Sequence, residues 1–272
     1  SLYIYRGKES GSFLYVICYV DDCLYFGSSD EIEKDFEDVL KRRFNLELQG
    51  HAHWFLGTRL YREKDGSYIV DQETYAKHVL NRYCGKDTPW GLPPMKTKNS
   101  KNYYVYSKSN RPIDEKAELE IATKYPSLSM ASAVSSLLYI ALNSRSDILW
   151  VVNKLAKSAS KPGLKDYDAL MHCFGYLRKF SDYAVKYYAN VDESPIYKIC
   201  EKHNIPMTEL VGFSDSSWQD CPDTGRSTGG YKVFFQGGVI DANSFTPVPV
   251  ALSSAEGSLV ITLKGINLLG FE

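Results

Sequence analysis

The sequence has no apolar run long enough to cross a bilayer: its longest, such as Phe13 to Val20, fall far short of the roughly 20 residues of a membrane helix. It also has no CxxC pair, and its six cysteines and five histidines show no spacing typical of zinc ligands. We therefore expect neither a zinc site nor a disulfide framework, but reduced thiols in an intracellular protein, cytoplasmic or nuclear, without a membrane partner. The net charge does not indicate a class of binding partner, since the 32 Lys and Arg residues nearly balance the 33 Asp and Glu residues.

The composition is that of a globular protein. Of the 272 residues, 44% are hydrophobic, 14% aromatic and 24% charged, which is enough apolar material for a sizeable core. The sequence opens at Ser1 with neither an initiating Met nor a signal peptide, so we expect it to be a piece of a longer protein.

Charge is distributed unevenly along the chain. Residues 86 to 188 hold 16 Lys or Arg against 9 Asp or Glu, a net charge of +7, whereas residues 1 to 85 and 189 to 272 are acidic. A basic middle between acidic ends fits a surface that follows phosphates, flanked by carboxylate sites for metal ions. A connector with a solvated lysine face is the commoner explanation of such a pattern.

Apolar spacing predicts a mixed α+β fold. Two apolar runs within residues 12 to 26 predict a β-hairpin with Asp21 and Asp22 at its tip. Helical spacing follows from residue 31 and recurs over 73–83, 129–143, 147–158 and 164–181. Further strands are expected over 53–61 and 67–70, joined by an Asp65-Gly66 turn, and over 210–213, 230–235 and 248–252. Residues 85 to 115 show no regular spacing of apolar residues, which predicts a linker.

The paired carboxylates at the hairpin tip are a candidate metal site. Phosphoryl transfer commonly uses two metal ions about 4 Å apart, and Mg²⁺ prefers hard oxygen ligands. Asp is also favoured in turns for its own hydrogen bonds, so ordinary turn chemistry explains the dipeptide by itself more often than a metal does.

The context of the tip is more specific than the dipeptide. Tyr19-Val20-Asp21-Asp22 between apolar strands resembles the YVDD box of reverse transcriptases. The blocks that follow are a charged helix ending in Arg43-Phe44, then Trp54-Phe55-Leu56-Gly57, Asp71-Gln72-Glu73-Thr74-Tyr75, Pro94-Met95-Lys96-Thr97, Ser136-Leu137-Leu138-Tyr139-Ile140-Ala141, Ser144-Arg145-Ser146-Asp147-Ile148, Tyr176-Leu177-Arg178, Phe213-Ser214-Asp215-Ser216-Ser217-Trp218, Arg226-Ser227-Thr228-Gly229-Gly230-Tyr231 and Val250-Ala251-Leu252-Ser253-Ser254-Ala255-Glu256. In this order and spacing the set resembles the Pol polyprotein of copia-type LTR retrotransposons.

The resemblance implies three segments. Residues 1–84 are similar to the C-terminal part of a reverse transcriptase, with palm hairpin, primer-grip region and the start of the thumb. Residues 85–204 would be a basic, largely helical connection. Residues 205–272 would be a partial ribonuclease H-like mixed sheet, whose tail after about residue 256 shows no resemblance.

The resemblance also implies roles for single residues. Asp21 and Asp22 match the paired metal-binding carboxylates of the palm, and Asp215 matches the first metal-binding Asp of the ribonuclease H domain. Tyr19 would lie beside the primer end, and Trp54 falls in the primer-grip region. The implied cofactor is Mg²⁺ or Mn²⁺, and the implied partners are primer–template, RNA–DNA hybrid and other parts of a Pol polyprotein.

Two departures from the family predict a chain without catalytic activity of its own. The palm needs a further Asp on an earlier strand, but the 18 residues before Tyr19 contain one acid, Glu9. After Ser253-Ser254, Ser258 stands where the family places a metal-binding Glu, which leaves Glu256 as the candidate ligand there. A neutral serine hydroxyl brings no charge to offset Mg²⁺.

Aromatic and basic residues suggest a second hypothesis, a retained non-catalytic nucleic-acid-binding or assembly module. Lys98, Lys101 and Lys108 are interleaved with the tyrosine-rich stretch 103–106, a combination that suits contact with single strands, although an edge strand or linker packed on the surface explains it as well. Lys96 is a further candidate for contact with nucleic acid. Trp54 and Trp150 have apolar neighbours that favour the core over base stacking. A third hypothesis is a relic with no selected role.

Overall fold

The computed structural model describes residues 1–8, 10–85, 104–204, 210–247 and 253. The chain divides into two compact units, Ser1–Tyr61 and Arg62–Glu272. Both units combine helices and strands, so the expected α+β class is confirmed. Among the described helices, none is long and apolar enough to cross a membrane.

The first unit is built on a three-stranded antiparallel sheet. Its elements are β1 (Leu2–Arg6), β2 (Phe13–Tyr19), β3 (Asp22–Gly27), α1 (Asp30–Arg43), β4 (Trp54–Phe55) and β5 (Thr58–Arg62). Strand β2 lies in the centre, with β1 on one side and β3 on the other. The expected hairpin over residues 12 to 26 is therefore confirmed, and β1 adds an edge strand that the sequence analysis did not anticipate.

Helix α1 covers the β2 and β3 part of one face of this sheet, whereas Tyr3 and Tyr5 of β1 are exposed on the same face. Leu14 and Val16 alternate with exposed residues along β2 and are buried on that face. The ring of Tyr25 contacts Phe36 with centroids 5.3 Å apart, and its hydroxyl donates to Glu37 at 2.5 Å. The expected helix after residue 31 is thus confirmed, and its apolar stripe explains which sheet face it buries.

The expected strand over residues 53–61 is wrong in one respect, because the chain reverses inside it. Leu56 and Gly57 have φ angles of +50° and +71°, and they form a turn between β4 and β5. Both values lie in the left-handed region, which Gly57 tolerates because it has no Cβ. The segment is therefore a small hairpin and not one strand.

The described part of the second unit contains six α-helices and five β-strands. Its helices are α2 (Glu73–Tyr83), α3 (Glu115–Lys124), α4 (Met130–Asn143), α5 (Leu149–Ser158), α6 (Leu164–Lys179) and α7 (Pro195–Lys202). Its strands are β6 (Tyr68–Asp71), β7 (Val185–Tyr187), β8 (Leu210–Ser217), β9 (Thr228–Phe235) and β10 (Gly238–Phe245). Strand β7 pairs with β6, while β9 lies between β8 and β10, and these pairings are antiparallel.

The core of the second unit lies between α2, α4, α5 and α6. Leu137 on α4, Leu155 on α5, and Phe174 and Leu177 on α6 are fully buried. On each helix the buried residues recur at spacings of three and four, so each helix presents one apolar face to the others. Tyr83 of α2 stacks on Phe174 at a centroid distance of 5.8 Å, which joins α2 to this core.

Most helices of the second unit agree with the sequence analysis, and several smaller elements were missed. Helix α2 matches its expected bounds, and α4, α5 and α6 agree within about two residues. Strand β10 was not predicted, because a register shift between Val239 and Asp241 interrupts the alternation of its side chains between the two faces of the sheet. Strand β7 and helices α3 and α7 are short or mostly polar. The expected strand over residues 248–252 lies outside the described residues, and the division at residues 84 and 204 stays a prediction.

Helix α4 offers a matched test of the core. Leu137 is fully buried, whereas Leu142, one and a half turns further on, is 58% exposed. Leu137→Ala should lower the free energy of unfolding by about 2–5 kcal/mol, because it leaves a cavity among packed helices. Leu142→Ala should change it by less than about 0.5 kcal/mol. Denaturant titrations followed by far-UV circular dichroism measure both, and equal effects would contradict the assigned core.

Candidate functional site

The tip of the β2–β3 hairpin carries the paired carboxylates. Tyr19 pairs with Asp22, so the loop consists of Val20 and Asp21. Val20 has a φ of +51°, in the left-handed region that β-branched residues rarely adopt. Glycine is the usual residue at a positive φ in such two-residue turns, so the tip holds a strained backbone. Strained residues of this kind are found preferentially at functional sites.

Both tip carboxylates are open to solvent. Asp21 and Asp22 are exposed, as is the side chain of Tyr19 at 58%. Within the described part of the chain, neither carboxylate forms an ion pair. The tip thus presents two adjacent, exposed carboxylates that form no ion pair among the described residues.

The sheet face opposite α1 is apolar and exposed; we call it the outer face. Tyr19 shares it with residues of all three strands, since directly opposed residues of a sheet lie on the same side. Its apolar members, each at least 41% exposed, are Leu2, Ile4, Tyr15, Ile17, Tyr19 and Phe26. Contiguous apolar patches on soluble proteins usually mark interaction surfaces.

Trp54 is not a core residue, and that expectation is wrong. It lies on the two-residue strand β4 opposite Arg59, with 52% of its surface exposed. A strand of this length is too short to bury both of its faces. The indole ring is therefore free to contact another molecule.

The second unit contains a cleft of about 830 Å³ between its helices and the β8–β10 sheet. Helices α5, α6 and α7 line one side, and the three strands line the other. Aromatic side chains form much of the wall, among them Trp150, Tyr176, Phe213 and Trp218. The carboxylates of Asp147, Asp215 and Asp220 also line the cleft.

Asp215 is the cleft carboxylate that the sequence analysis selected. It lies on β8 opposite Gly230, and its side chain is exposed. The backbone N–H of Ser216 donates to its Oδ1 at 2.8 Å, and no ion pair to Asp215 is found among the described residues. Asp215 therefore keeps a carboxylate charge available at the cleft.

The other two cleft carboxylates are bound by cations. Lys154 donates to Asp220 at 2.6 Å, and with side chains only 6% and 5% exposed the pair is buried. Thr228 donates to the second oxygen of Asp220 at 2.7 Å. A buried charge is tolerated only with such partners, so this pair is structural.

Asp147 is held by a buried arginine. Arg145 donates to both of its oxygens, at 2.9 and 2.8 Å, and the Tyr176 hydroxyl donates at 2.6 Å. Burial acts to raise the pKa of Asp147, but the hydrogen bonds and charge of Arg145, with the Tyr176 hydroxyl, outweigh it and hold the pKa below its usual value. Asp147 is therefore ionised and neutralised at neutral pH.

The structure joins several blocks on which the family resemblance rests. Asp147 of one block meets Tyr176 of another, and Ser144 donates to Gln72 of a third at 2.9 Å. Sequence reasoning missed Asp147, Lys154 and Asp220 as site-forming residues. The sequence did contain a signal for the Lys154–Asp220 pair. Lys154 is a charged residue inside the apolar run of α5, and a buried charge requires a buried partner.

The expectation that Tyr104 contacts single-stranded nucleic acid is also wrong. It is 6% exposed, and its hydroxyl donates to Asp166 at 2.5 Å. Burial, together with this hydrogen bond, raises the pKa of Tyr104. Tyr104 is thus part of the core and does not stack on bases, and Tyr103 lies outside the described residues.

The predicted metal ligands lie in two different units or outside the described residues. Asp21 and Asp22 belong to the first unit and Asp215 to the second, while Glu256 and the basic candidates Lys96, Lys98 and Lys101 lie outside the described residues. Across the described ranges, no group of three or more His, Cys, Asp or Glu is placed to hold a metal ion. The carboxylates fit Mg²⁺ in chemical type, but the described ones are too few for a two-metal centre.

Comparison with known proteins supports a mobile-element origin. The chain is 28% identical to the uncharacterized mitochondrial protein AtMg00810 of Arabidopsis thaliana over 245 residues, which cover 89% of the chain and 88% of that protein. It is 26% identical to the retrovirus-related Pol polyprotein from transposon TNT 1-94 of Nicotiana tabacum, across 95% of the chain and 18% of the polyprotein. For the Pol polyprotein from transposon RE2 of Arabidopsis thaliana the identity is 27%, across 92% and 15%.

The chain therefore spans less than a fifth of the Pol polyproteins that it resembles. No protein-family model and no solved structure matches it. The relatives support an origin in a retrotransposon Pol polyprotein, as the sequence blocks indicated.

The lowered pKa of Asp147 makes a prediction about pH. A carboxyl group whose folded-state pKa is depressed stabilises the fold above its unfolded pKa of about 3.9, and this stabilisation is lost as the pH falls through the folded-state value. At neutral pH, Asp147→Asn should lower the free energy of unfolding by about 2–3 kcal/mol, since it leaves Arg145 without its counter-charge. The difference from the unchanged protein should shrink as the pH is lowered below 4.

The matched control is Asp182→Asn, at an exposed carboxylate on the surface. It should change the free energy of unfolding by less than about 0.5 kcal/mol. Denaturant titrations at a series of pH values measure both variants. A cost of Asp147→Asn that stayed constant down to the lowest pH would contradict the assigned ion pair.

Proposed function

We propose that this chain is a segment of a retrotransposon RNA-directed DNA polymerase and ribonuclease H, and that it is catalytically incomplete by itself. In this proposal the hairpin of the first unit derives from the reverse transcriptase palm, and the β8–β10 sheet derives from a ribonuclease H-like domain. The observation that carries the proposal is the exposed Asp21–Asp22 pair at a strained two-residue turn, in a chain similar to transposon Pol polyproteins over most of its length.

The tip has the properties that a polymerase metal site would require. The carboxylates are adjacent, exposed and free of ion pairs within the described chain, so their charge remains available to a cation. The paired strands hold them on a rigid support, and rigid positioning is what metal-assisted phosphoryl transfer asks of a protein. Tyr19 stands beside them on the outer face, where a primer end would approach.

The outer face supports the idea that further Pol polypeptide packs on this unit. Its six apolar side chains are exposed, and only Leu14 and Val16 are buried hydrophobic residues in the described part of residues 1–61. A sheet with so little core gains stability when its open side is covered. We infer that other parts of a Pol polyprotein cover it.

The proposal of catalytic incompleteness rests on ligand number. Among the described residues, no third His, Cys, Asp or Glu joins the two tip carboxylates to form a metal-binding group. Asp215 does not belong to such a group either. The sequence supplies Glu9 as the one acid upstream of the tip, and Ser258 at the position where the family has a metal-binding Glu. Two carboxylates, or one, do not neutralise two divalent cations, so we infer that neither centre forms from the described residues alone.

The first experiment measures cleavage of an end-labelled RNA–DNA hybrid by the purified chain in Mg²⁺, with Asp215→Asn beside it. We expect the chain and the variant to give the same background, while an active ribonuclease H verifies the hybrid. Cleavage that Asp215→Asn abolishes would mean that a working site assembles despite Ser258. Primer extension on an RNA template in Mg²⁺, compared with Asp21→Asn, tests the polymerase half in the same way.

A second candidate function is non-catalytic binding of nucleic acid. The aromatic walls of the cleft favour it, because bases stack on tryptophan and tyrosine rings without sequence preference. The basic middle of the chain supplies cations, although Lys124 and Lys186 already bind the carboxylates of Asp168 and Glu63. In this proposal, phosphate contact falls to cations such as Lys96, Lys98 and Lys101.

Salt dependence tests this candidate. Neutralising each phosphate of a single strand contributes about 0.7 to the slope of log affinity against log salt concentration. Replacing Lys96, Lys98 and Lys101 together by Ala should therefore reduce the slope by about 2 in a fluorescence-anisotropy titration. The double variant Lys124→Ala, Lys186→Ala is the matched control and should leave the slope nearly unchanged. Absent or salt-independent binding would reject the candidate.

A further inference from the structure

Two cysteines flank the hairpin tip. Cys18 and Cys23 lie directly opposite each other on β2 and β3, one residue pair before the closing pair Tyr19–Asp22. The thiol of Cys23 donates to the sulfur of Cys18, with the two Sγ atoms 3.0 Å apart. A disulfide bond is about 2.05 Å long, so the sulfurs need to approach by only about 1 Å to bond.

The backbone around this pair suits a cross-strand disulfide. The N–H of Cys18 donates to the Ser1 carbonyl at 2.8 Å, and its carbonyl accepts from the Ser1 nitrogen at 2.6 Å. Both backbone groups of Cys18 therefore point to β1, which makes Cys18–Cys23 a non-hydrogen-bonded pair of the β2–β3 ladder. Such pairs have Cα atoms about 4.5 Å apart. That separation lies within the range of about 4.4–6.8 Å that disulfides span.

Access distinguishes this pair from three of the four other cysteines. Cys23 is exposed and Cys18 half-buried, so a small oxidant can reach them. Cys84 is also half-buried, whereas Cys173, Cys200 and Cys221 are buried. Burial raises the pKa of the Cys173 thiol to about 12, and a thiol of this kind is inert.

We propose that Cys18 and Cys23 form a reversible redox pair that small-molecule disulfides such as oxidised glutathione convert to a cross-strand disulfide. The thiol of Cys23 donates to the sulfur of Cys18, so Cys18 is the acceptor sulfur of the pair and attacks first.

The exchange balances in two steps. The Cys18 thiolate attacks one sulfur of the small disulfide, which forms a mixed disulfide and releases one glutathione thiolate. Cys23 then loses its proton to solvent and attacks the Cys18 sulfur, which releases the second glutathione thiolate. The cysteine pair is oxidised by two electrons, and the small disulfide is reduced to two thiols.

The bond would act on the tip that carries Asp21 and Asp22. It would link β2 to β3 at the last residue pair before the closing pair, and so restrict the motion of a turn that already holds Val20 at a positive φ. A thiol reductant would release it. The pair thus offers a modification site beside the carboxylates that does not depend on their catalytic competence.

The experiment equilibrates the folded full chain with oxidised glutathione, quenches it in acid, and alkylates the remaining thiols after denaturation. Mass spectrometry should find two fewer alkyl groups than in the reduced chain. The tryptic peptide of residues 9–34, which contains both cysteines, should be lighter than its reduced, unalkylated form by two hydrogens. Cleavage after Tyr19 should leave its two fragments joined until dithiothreitol is added.

Single variants supply the controls. Cys18→Ser and Cys23→Ser should each abolish the link and leave a glutathione adduct on the remaining cysteine, because no neighbouring thiol resolves it. Cys84→Ser, at a half-buried cysteine on another unit, should retain the link. Full alkylation of the unchanged chain, or adducts on both cysteines without a link between them, would overturn the proposal.

Discussion

Burial of the apolar faces of α2, α4, α5 and α6 against one another is the constraint on which the second unit depends. Phe174 lies fully buried in this core, with Tyr83 of α2 stacked on it. Once the helices are packed, α5 faces the β8–β10 sheet, and Lys154 on α5 reaches Asp220 beyond the end of β8. The cleft and its charges thus follow from the helix packing. A buried lysine is tolerated only beside a carboxylate, so the position of Lys154 on α5 determines where Asp220 must lie.

The first unit is organised differently. Helix α1 covers the β2 and β3 part of one face of its sheet and the outer face is open, so the backbone ladder and a single helix hold the tip in place. Such a unit carries exposed carboxylates without neutralising them, in contrast to the second unit, where Arg145 and Lys154 bind two of the three carboxylates of the cleft. The second unit is therefore held together largely by its own core, whereas the described part of the first unit has few buried hydrophobic residues.

Much of the fold could be predicted because its periodicity is local. The bounds of α2 and the β2–β3 hairpin follow from apolar spacing and from the turn residues between them. Strand β1 and the β4–β5 hairpin could not be predicted in this way. The first depends on pairing with β2, and the second on a chain reversal at Leu56 and Gly57 within an apolar run, where a single glycine does not by itself indicate a turn. Strand β10 could not be predicted because its bulge interrupts the alternation of apolar residues.

The sequence by itself determined the chemistry at the hairpin tip and the resemblance to retrotransposon Pol polyproteins, because both depend on residues that are close together in the chain. Only the tertiary structure decided which carboxylates keep their charge available and which aromatic rings are exposed. Lys154 and Asp220 are 66 positions apart, and Tyr104 and Asp166 are 62 apart. Burial and ion pairing arise from such distant contacts, so Asp215 could be distinguished from Asp147 and Asp220, and Trp54 from Tyr104, only after the chain had folded.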